Sequence, residues 1–347
     1  MARTYLDYNA TTPLREEARA AMIAAMDVVG NPSSVHSEGR KAKGIIETAR
    51  RQVAAAVGAE GADVVFVSSA TEAAALALAA GGIHCADVEH EAVSAWCDTD
   101  QGVSRDGVVT ITDPGVSALQ VANSETGIIQ TLPQGLRMTD ATQALGKLPF
   151  AFNWSGADMA IVSAHKIGGP KGVGALILKR GIDIEARIKG GGQEMGRRSG
   201  TENVIGIAGF GAAATAASRD LEAGIWDEIA EFRNILEKTL SESAQETIFV
   251  GKDANRLPNT SCFITPRWKG ETQVMVMDLA GFAVSAGSAC SSGKVKSSRV
   301  LRAMGYDETE AASALRVSLG PTTTKDEVMA FCEAWLREHD KFRARGR

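Results

Sequence analysis

The stretch MAIVSAHKIGGPKGVGALILK, residues 159–179, decides the predicted fold. Its two short apolar runs, MAIVSA and GALILK, have the length and composition of buried strands, and the glycine-rich turn IGGPKG separates them. Lys166 follows the first run directly, so its side chain emerges at a strand end, where open α/β sheets bind ligands. This segment alone leaves two interpretations open: a structural lysine that extends its amine into water, or a reactive amine.

Short apolar runs alternate with alanine-rich helical patterns on the N-terminal side of this stretch. DVVFVS (63–68) and ALQVA (118–122) predict further strands. LREEARAAMIAAM (14–26) predicts a helix with Pro13 at its first position, where the missing N–H group costs nothing. Such alternation is typical of a mostly parallel sheet covered by helices, so the predicted fold class is α/β.

The sequence pattern changes after residue 219. A long charged helical pattern, EIAEFRNILEKTLSES, comes first, and shorter predicted strands and helices follow it up to a last helix from about Lys325. We therefore predict a large α/β domain over residues 13–219. Residues 1–12 and 220–347 are predicted to form a smaller α+β domain.

Composition and charge exclude several classes of protein. The chain has 347 residues, 44% of them hydrophobic, and a formal net charge of -5, which argues for a globular protein without bulk attraction to nucleic acid or anionic membranes. No run approaches the ~20 apolar residues of a membrane span, and charges fill the N-terminal region where a secretion signal needs an apolar core. Five cysteines without a C-x-x-C pair indicate reduced thiols, so we expect a cytoplasmic protein.

One strand-to-helix junction offers a place for a phosphate. Ser69 and Glu72 have the spacing of a capping box, which gives both residues a structural explanation. The same helix start exposes backbone N–H groups at Ala70 and Thr71 and the positive end of the helix dipole, which favours an anion. Taken alone, the junction is compatible with a simple helix cap.

Other polar residues complete a recognisable set around Lys166. Asp140 ends a short extended segment, where a carboxylate either caps a helix or pairs with a protonated pyridine nitrogen, and Gln143 lies three residues on. Ser163 and His165 are donors suited to phosphate oxygens. A lysine, a carboxylate and a phosphate-binding helix start are the groups that pyridoxal 5′-phosphate (PLP) requires.

Ten segments then occur in a characteristic order: YLDYNATTP, GNPSSVHSEGR, SSATEAAALAL, EHEAV, ANSETGIIQ, DATQALGKLP, SAHKIGGPKGVGAL, GGGQEMGRRSGTENV, AVSAGSACSSGKV and ALRVSLGPTTT. Their order, over nearly the full chain, resembles the cysteine desulfurases, which are PLP enzymes of fold type I in the class V aminotransferase group. The segment around Cys290 is similar to the first subgroup of that family, which serves iron–sulfur cluster assembly and tRNA thiolation.

The resemblance implies a role for each matching residue. It implies that Lys166 forms the Schiff base and moves the substrate Cα proton, that His90 stacks on the ring and shuttles protons, and that Cys290 takes the sulfur as a persulfide. The other implied contacts are Asp140 with the ring nitrogen; Gln143 and Ser124 with the ring hydroxyl; Ala70, Thr71, Ser163 and His165 with the phosphate; Thr201 with the phosphate in the partner subunit of a homodimer; and Arg316 and Asn123 with the substrate.

Cys290 lies in SAGSACSSGK, a small and polar stretch that suits a thiol which reaches a substrate and then leaves. The nearby Lys294 and Lys296 favour the thiolate, whereas Cys262 and Cys332 lie in apolar patterns and are predicted to be inert. The implied reaction converts L-cysteine into L-alanine and passes sulfur to an acceptor protein, either an iron–sulfur scaffold or a tRNA-thiolating enzyme.

The sequence departs from the family pattern in two places. Ser124 stands where the family usually has the second Asn of Asn-Asn-Glu, and a serine has a shorter reach toward the PLP hydroxyl. The region 91–139 is also shorter than in relatives. We therefore expect some helical cover of the sheet to be missing, which would expose surface for a partner.

Three alternatives remain open at the sequence level. Selenocysteine lyase and cysteine sulfinate desulfinase are other reactions of the same group, and a non-catalytic PLP-fold protein that acts as a binding partner is compatible with the shortened region. His84, Cys85, His90 and Cys97 are possible zinc ligands, although their spacing matches no usual zinc pattern. The expected metal content is therefore none.

Overall fold

The structure is a computed structural model that describes residues 3–287 and 297–345. The strands are β1 (Thr4–Tyr5), β2 (Asp63–Val67), β3 (His84–Ala86), β4 (Asp98–Val103), β5 (Val109–Thr110), β6 (Ala118–Gln120), β7 (Leu136–Asp140), β8 (Ala157–Ser163), β9 (Gly174–Leu178), β10 (Ile248–Phe249), β11 (Thr260–Ile264), β12 (Phe282–Ala283), β13 (Ser285–Ala286) and β14 (Ala314–Ser318). The α-helices are α1 (Glu16–Met26), α2 (Ser37–Ala56), α3 (Ala70–Leu78), α4 (Glu91–Ser94), α5 (Val204–Glu222), α6 (Ile225–Ser243), α7 (Gly270–Leu279), α8 (Arg299–Ala303), α9 (Glu308–Ala312) and α10 (Lys325–Arg345).

A five-stranded sheet in the order β2-β9-β8-β7-β6 forms the centre of the N-terminal two thirds of the chain. Strands β6, β7 and β8 pair in parallel, and β9 runs antiparallel to both of its neighbours, β2 and β8. Four of the five strands therefore share one direction. This arrangement confirms the predicted α/β class with a mostly parallel sheet.

Helices cover both faces of this sheet. Along β2, Val64 and Phe66 pack into the apolar cluster that also contains residues of α1, α2 and α5. Val65 and Val67 pack into a different cluster, with residues of α3. Because successive side chains of a strand point to opposite faces, the two clusters are the two sides of a three-layer arrangement. Strands buried on both faces have continuous apolar sequences, which explains why DVVFVS and MAIVSA were recognisable.

A second, antiparallel sheet with the order β10-β11-β14-β13 lies in the C-terminal part. Its apolar cluster joins Phe263 of β11, Leu315 of β14 and Trp335 of α10 with Leu6 from the start of the chain. Strand β1 pairs in parallel with β12, between Thr4 and Phe282. The first residues of the chain therefore pack with its last third.

Helix α1 begins later than the sequence predicted. It starts at Glu16, with Arg15 as an extended N-cap residue, so Pro13 precedes the helix instead of occupying its first position. The Arg15 backbone N–H donates to the carbonyl of Gly168, and its Nε donates to that of Ile167. These tertiary hydrogen bonds hold residues 13–15 extended along the turn after β8, which a local helix pattern does not reveal.

The shortened region contains little helix. The four-residue α4 is followed by β4 and β5, which pair antiparallel, and β3 pairs in parallel with β4. An isolated bridge between His84 and Ser117 connects this small sheet to the start of β6. The small sheet formed by β3, β4 and β5 therefore lies at the β6 edge of the main sheet. No described helix is both long enough and apolar enough to cross a membrane.

Candidate active site

A cavity of about 250 Å³ lies at the carboxyl ends of the parallel strands. Gln120, Asp140 and Ser163 are the last residues of β6, β7 and β8, and all three line it. Carboxyl ends of parallel strands meet at one edge of a sheet, which is where open α/β folds bind ligands. The residues of the predicted site that line this cavity are Ala70, Thr71, His90, Ser124, Asp140, Gln143, Ser163, His165, Lys166 and Arg316.

Lys166 enters the cavity from a short 3₁₀ turn, Ala164–Lys166, directly after β8. Its Nζ donates to the carbonyl oxygens of Asn9 at 2.6 Å and Ala10 at 2.9 Å. The N-terminal segment thus holds the amine at the cavity wall. The backbone of Thr12 donates to the carbonyl of His165, which ties the same segment to the turn.

The N-terminus of α3 forms another wall. Ser69 caps the helix by accepting a hydrogen bond from the Glu72 N–H at 3.3 Å, but the Glu72 carboxylate turns to the Ser68 N–H and to Arg198. The predicted reciprocal capping box is therefore only half formed. The first-turn amides of Ala70 and Thr71 stand at the positive end of the helix dipole, which suits a phosphate.

Both histidines of the cavity are neutral near pH 7. Burial and the positive charges of Lys166 and Lys171 lower the pKa of His165 to about 4. Burial also lowers the pKa of His90, and the negative charge of Asp140 opposes this with a smaller, raising effect. The Nδ1 atom of His90 accepts the Ala92 N–H at 3.1 Å, so the proton of the neutral ring is assigned to Nε2. His90 therefore has a donor to offer at its other nitrogen.

The ring-binding candidates are held by a buried amide and amine network. The Oε1 atom of Gln143 accepts a hydrogen bond from Lys147 Nζ at 2.6 Å, and its Nε2 donates to the Asn9 carbonyl at 3.0 Å. Lys147 is 3% exposed, and burial, Lys166 and Arg316 hold its pKa well below the usual range. Asp140 accepts the Thr142 N–H at 2.8 Å, which fixes its carboxylate at the end of β7.

Arg316 reaches the cavity from β14, in the C-terminal sheet. Its Nη2 donates to Asp7 Oδ1 at 2.8 Å, and its Nη1 donates to the Ser124 carbonyl at 3.1 Å. The side chain is 4% exposed, and its Nε has no partner among the described residues. A buried guanidinium with an unused donor is suited to a carboxylate.

Two predicted residues in the described part of the chain, Asn123 and Thr201, do not line this cavity. The Asn123 amide is buried and holds its own turn, since it accepts hydrogen bonds from Glu125 and Thr126 and donates to the Val88 carbonyl. Thr201 lies in an exposed loop outside the cavity of its own chain. Cys290 lies outside the described residues, as do Lys294 and Lys296.

The four residues considered as zinc ligands have separate partners. His84 pairs with Asp100 at 2.9 Å, and His90 accepts a backbone N–H group. Cys85 and Cys97 pack in one apolar cluster and shift the pKa of each other. In the part of the chain that the structure describes, no group of three or more His, Cys, Asp or Glu side chains is arranged to hold a metal ion.

Several functional positions had no role in the sequence interpretation. Asn9 lines the cavity and positions both Lys166 and Gln143, Asp7 holds Arg316, and Thr142 presents a hydroxyl. Asp7 and Asn9 belong to YLDYNATTP, a segment that matched the family without any role being assigned to its residues. Lys147 belongs to DATQALGKLP in the same way. The sequence signal for these residues was therefore only that their segments matched the family pattern.

The residues present fit PLP. The cavity joins an amine, a carboxylate at a strand end and a helix N-terminus, the three groups needed for the aldehyde, the pyridine nitrogen and the phosphate. Two buried polar atoms of cavity residues, Thr142 Oγ1 and Arg316 Nε, have no hydrogen-bond partner among the described residues. Buried polar groups are normally paired, so these atoms indicate a site that a polar ligand completes.

Comparisons with known proteins agree with this assignment. The family model of class V aminotransferases matches residues 4–102 and 107–331. The chain is 38% identical to a cysteine desulfurase of Cereibacter sphaeroides, over 99% of this chain and 97% of that protein. It is 35% identical to the cysteine desulfurase IscS of Dictyoglomus turgidum, over 98% and 95% of the two chains. The X-ray structure of a NifS-like protein from Rickettsia africae superposes with a TM-score of 0.89 at 32% identity, over 97% of this chain and 99% of that one.

Proposed function

This chain belongs to the class V aminotransferase family as a PLP-dependent cysteine desulfurase, and from that premise we propose that the cavity at the ends of β6, β7 and β8 is its active site. The observation that carries the proposal is the convergence of Lys166, Asp140 and the N-terminus of α3 in one cavity. These groups come from three distant segments of the chain, so their meeting is a product of the fold.

The cofactor is held by residues with distinct tasks. When bound, PLP supplies an electron sink that stabilises negative charge on the Cα of the amino acid attached to it. Lys166 would attach it covalently, Asp140 would pair with its pyridine nitrogen, and Gln143 would hydrogen-bond its ring hydroxyl. The residues proposed for the phosphate are Ala70, Thr71, Ser163 and His165. Ser124, which also lines the cavity, is the second candidate for the ring hydroxyl.

Lys166 is also the proposed proton carrier. Its Nζ lies at the end of a flexible side chain and is held by two carbonyl oxygens, contacts that it would give up when it moves toward substrate. The neighbouring His165 is neutral near pH 7, so it adds no positive charge that would lower the pKa of neighbouring groups. His90, with its proton on Nε2, is placed to donate to a reacting sulfur or to the ring.

Arg316 is the proposed anchor for the carboxylate of L-cysteine. Asp7 and the Ser124 carbonyl hold two of its nitrogens, so the guanidinium is oriented before substrate arrives. Arg316 lines the cavity, and its Nε has no hydrogen-bond partner among the described residues. Asn123 is proposed to support the turn that carries Ser124 and not to contact substrate directly. Its amide nitrogen and oxygen are both engaged in hydrogen bonds within the protein.

Cys290 is the proposed sulfur acceptor. In this step the Cys290 thiolate attacks the sulfur of bound L-cysteine, the substrate C–S bond breaks, and its electron pair stays with the carbon. That carbon then takes up a proton delivered by the proposed proton carrier, Lys166, and becomes the methyl group of alanine. The product on the enzyme is a Cys290 persulfide. The support is its position in a small, polar stretch between β13 and α8, both of which pack against the elements that carry the cavity.

We further propose a homodimer in which Thr201 serves the partner's phosphate site. Residues 32–33 and the loop around Thr201 flank the same groove, which Met195 also lines. Val29 and Val35 are 81% and 87% exposed, and Met195 is 52% exposed, so an apolar surface adjoins the Thr201 loop. Exposed apolar residues grouped in this way mark a protein interface.

The remaining assignments follow from these proposals. Residues 13–219 form the PLP-binding domain, and residues 1–12 with 220–347 form a small domain that supplies Arg316 and the segment of Cys290. The sulfur passes to an acceptor protein, either an iron–sulfur scaffold or a tRNA-thiolating enzyme. Such transfer of a persulfide suits the reducing cytoplasm.

Purified protein with bound PLP tests the site directly. We expect it to be yellow and to release alanine and sulfide from L-cysteine in the presence of a thiol reductant. The Lys166→Ala variant should lose turnover and the lysine-linked absorption band, while Cys290→Ala should keep the band and lose turnover. The matched control is Lys171→Ala, an exposed lysine five residues away. Undiminished sulfide release by Cys290→Ala would overturn the persulfide step and leave the cavity assignment intact.

A further inference from the structure

Cys85 and Cys97 form a pair of thiols beside the active site. Cys85 lies within β3 and Cys97 directly precedes β4, and these two strands pair in parallel through His84 and Asp98. Cys85 is a buried member of one apolar cluster and Cys97 packs against that cluster, and each thiol shifts the pKa of the other. They are thus neighbours in space at the two ends of the segment 85–97.

The two thiols differ in access and in acidity. Cys85 is fully buried, whereas Cys97 is partly exposed. The interaction between the two thiols lowers the pKa of Cys97 and raises that of Cys85, and burial raises the pKa of Cys85 further. An accessible thiol that ionises first, next to a buried one, is the arrangement of an attacking and a resolving cysteine.

The described thiols elsewhere lack these properties. Cys262 and Cys332 are completely buried, and burial raises the pKa of each to about 12. Neither has another cysteine thiol among the groups that shift its pKa. They are therefore suitable internal references for any reagent that reaches Cys97.

The segment between the two cysteines carries part of the active site. His90, which lines the cavity, lies in its middle, and Glu89 beside it holds the end of β6 by accepting the Gln120 N–H at 2.7 Å. The pairing of β3 with β4 shifts register between His84 and Ala86, so the ladder is irregular next to Cys85. A bulge gives two strands freedom to adjust locally, which a covalent link between their side chains requires.

We propose that Cys85 and Cys97 are a reversible redox modification site that forms an intramolecular disulfide and constrains the segment of His90. The oxidant is a low-molecular-weight disulfide of the glutathione type. The Cys97 thiolate attacks it, which forms a mixed disulfide and releases one thiol. Cys85 then attacks the Cys97 sulfur, closes the internal disulfide and releases the second thiol. The protein loses two protons and two electrons, and the oxidant becomes two thiols.

The effect on turnover rests on the proposed function, but the site itself does not. A disulfide draws β3 and the start of β4 together, and this displacement reaches His90 and Glu89 through the short helix α4. Oxidised protein is therefore expected to turn over L-cysteine more slowly. A thiol reductant is expected to restore the rate, as for other thiol pairs in reducing compartments.

The chemical test uses full-length protein with bound PLP in a Cys290→Ala background, so that Cys290 does not react. After incubation with oxidised glutathione, peptide mass spectrometry should detect a peptide pair joined through Cys85 and Cys97, with Cys262 and Cys332 still reduced. Adding Cys85→Ser should stop the reaction at a glutathione adduct on Cys97. Adding Cys97→Ser should give no adduct at Cys85. Circular dichroism of each variant excludes misfolding as the cause.

The functional test compares Cys97→Ser with the unsubstituted chain, both with Cys290 present. Cys97→Ser should keep its basal rate. Oxidised glutathione should inhibit it less than the unsubstituted chain, because it cannot form the disulfide. A stable glutathione adduct on Cys97 in the chain that retains Cys85 would overturn the proposal, because it would mean that the buried Cys85 thiol cannot reach the Cys97 sulfur. Absence of any product at Cys97 would overturn it as well. A disulfide without any effect on rate would refute only the link to His90.

Discussion

At the scale of single residues, the active site depends on hydrogen bonds that arrive from the N-terminal segment. Asn9 accepts hydrogen bonds from Lys166 and Gln143 on its carbonyl, and its side chain accepts one from Lys147. Asp7 performs the corresponding task for Arg316. Asn9 and Asp7 therefore orient the residues proposed to act on cofactor and substrate.

Replacing Arg316 with lysine tests the carboxylate anchor. A lysine keeps the charge but loses the planar pair of donors, so one charge-assisted hydrogen bond is lost. We expect KM for L-cysteine to rise roughly 10- to 100-fold, in line with about 1.5–3 kcal/mol for a bond to a charged group. The control is Arg256→Lys, since Arg256 is equally buried but pairs with Glu237 away from the cavity. Equal effects of the two substitutions on KM would contradict the assignment.

At the scale of elements, the junction between β9 and α3 limits what the phosphate site tolerates. Gly174 starts β9 and pairs with both Val67 and Ser163. A Cβ at this position would lie 2.8 Å from the Ser69 carbonyl carbon and 3.0 Å from the Ala70 nitrogen. Only glycine lets the strand pass this close to the helix start.

Gly174→Ala should therefore displace the N-terminus of α3. The expected cost is about 1–3 kcal/mol of overpacking, and PLP should bind roughly tenfold more weakly because the first-turn amides move. Gly44→Ala is the control, since a Cβ on that helical glycine meets nothing within 4 Å. Fluorescence titration with PLP measures the dissociation constant of each variant. An unchanged PLP affinity in Gly174→Ala would argue against the phosphate site at α3.

The turn after β6 meets α8 at a buried carboxyl group. Glu125 Oε2 accepts a hydrogen bond from Ser298, the N-cap residue of α8, at 2.5 Å. Burial raises the pKa of Glu125 from 4.5 to about 7, against the lowering effects of Ser298, Arg316 and Arg299. A carboxyl group with a raised folded-state pKa stabilises the fold fully below the unfolded pKa, and this contribution is lost as the pH rises through 7.

Stability should consequently depend on pH through Glu125. Between pH 4.5 and 7 the unfolded chain ionises this group before the folded one does, which costs about 3 kcal/mol of folding free energy. Urea unfolding of the Glu125→Gln variant should show a smaller loss of stability from pH 5 to pH 8 than the unsubstituted chain. A parallel pH dependence of the two proteins would mean that Glu125 is not protonated in the fold.

At the scale of the whole molecule, the N-terminal and C-terminal parts share apolar clusters. Residues of β11, β14 and α8 enter a cluster on one face of the large sheet, and Leu6, just after β1, enters the cluster of the C-terminal sheet. Arg316 extends from the C-terminal sheet into a cavity built by the main sheet. The site therefore exists only when both parts are folded and in contact.

The proposed homodimer makes a prediction at this scale. Sedimentation analysis should give twice the chain mass, and replacing Val29 and Val35 together with aspartate should shift the protein to monomer. PLP affinity should fall with dissociation, because Thr201 of the partner subunit leaves the phosphate site. Trp154→Asp is the control, as this residue is 85% exposed and does not adjoin the groove beside Thr201. A dimer that survives the paired substitution would place the interface elsewhere.

Much of the fold was predictable because strands buried on both faces have continuous apolar sequences. MAIVSA, GALILK and DVVFVS became β8, β9 and β2, and the three residues that the family segments predicted for the site, Lys166, Asp140 and Arg316, line one cavity. The start of α1 was wrong because Arg15 is held by the turn at Gly168, a contact between distant parts of the chain. Local patterns carry no information about such contacts.

The sequence by itself determined the fold class, the family and the residue types of the active site, since these depend on periodicity and on the order of segments. Only the tertiary structure decided which residues hold the reactive ones in place. Asn9 meets Lys166, and Asp7 meets Arg316, because the N-terminal segment crosses the sheet edge between the two parts. The contact of Cys85 with Cys97 was likewise decided by the pairing of β3 with β4, because proximity in space follows from strand register and not from spacing along the chain.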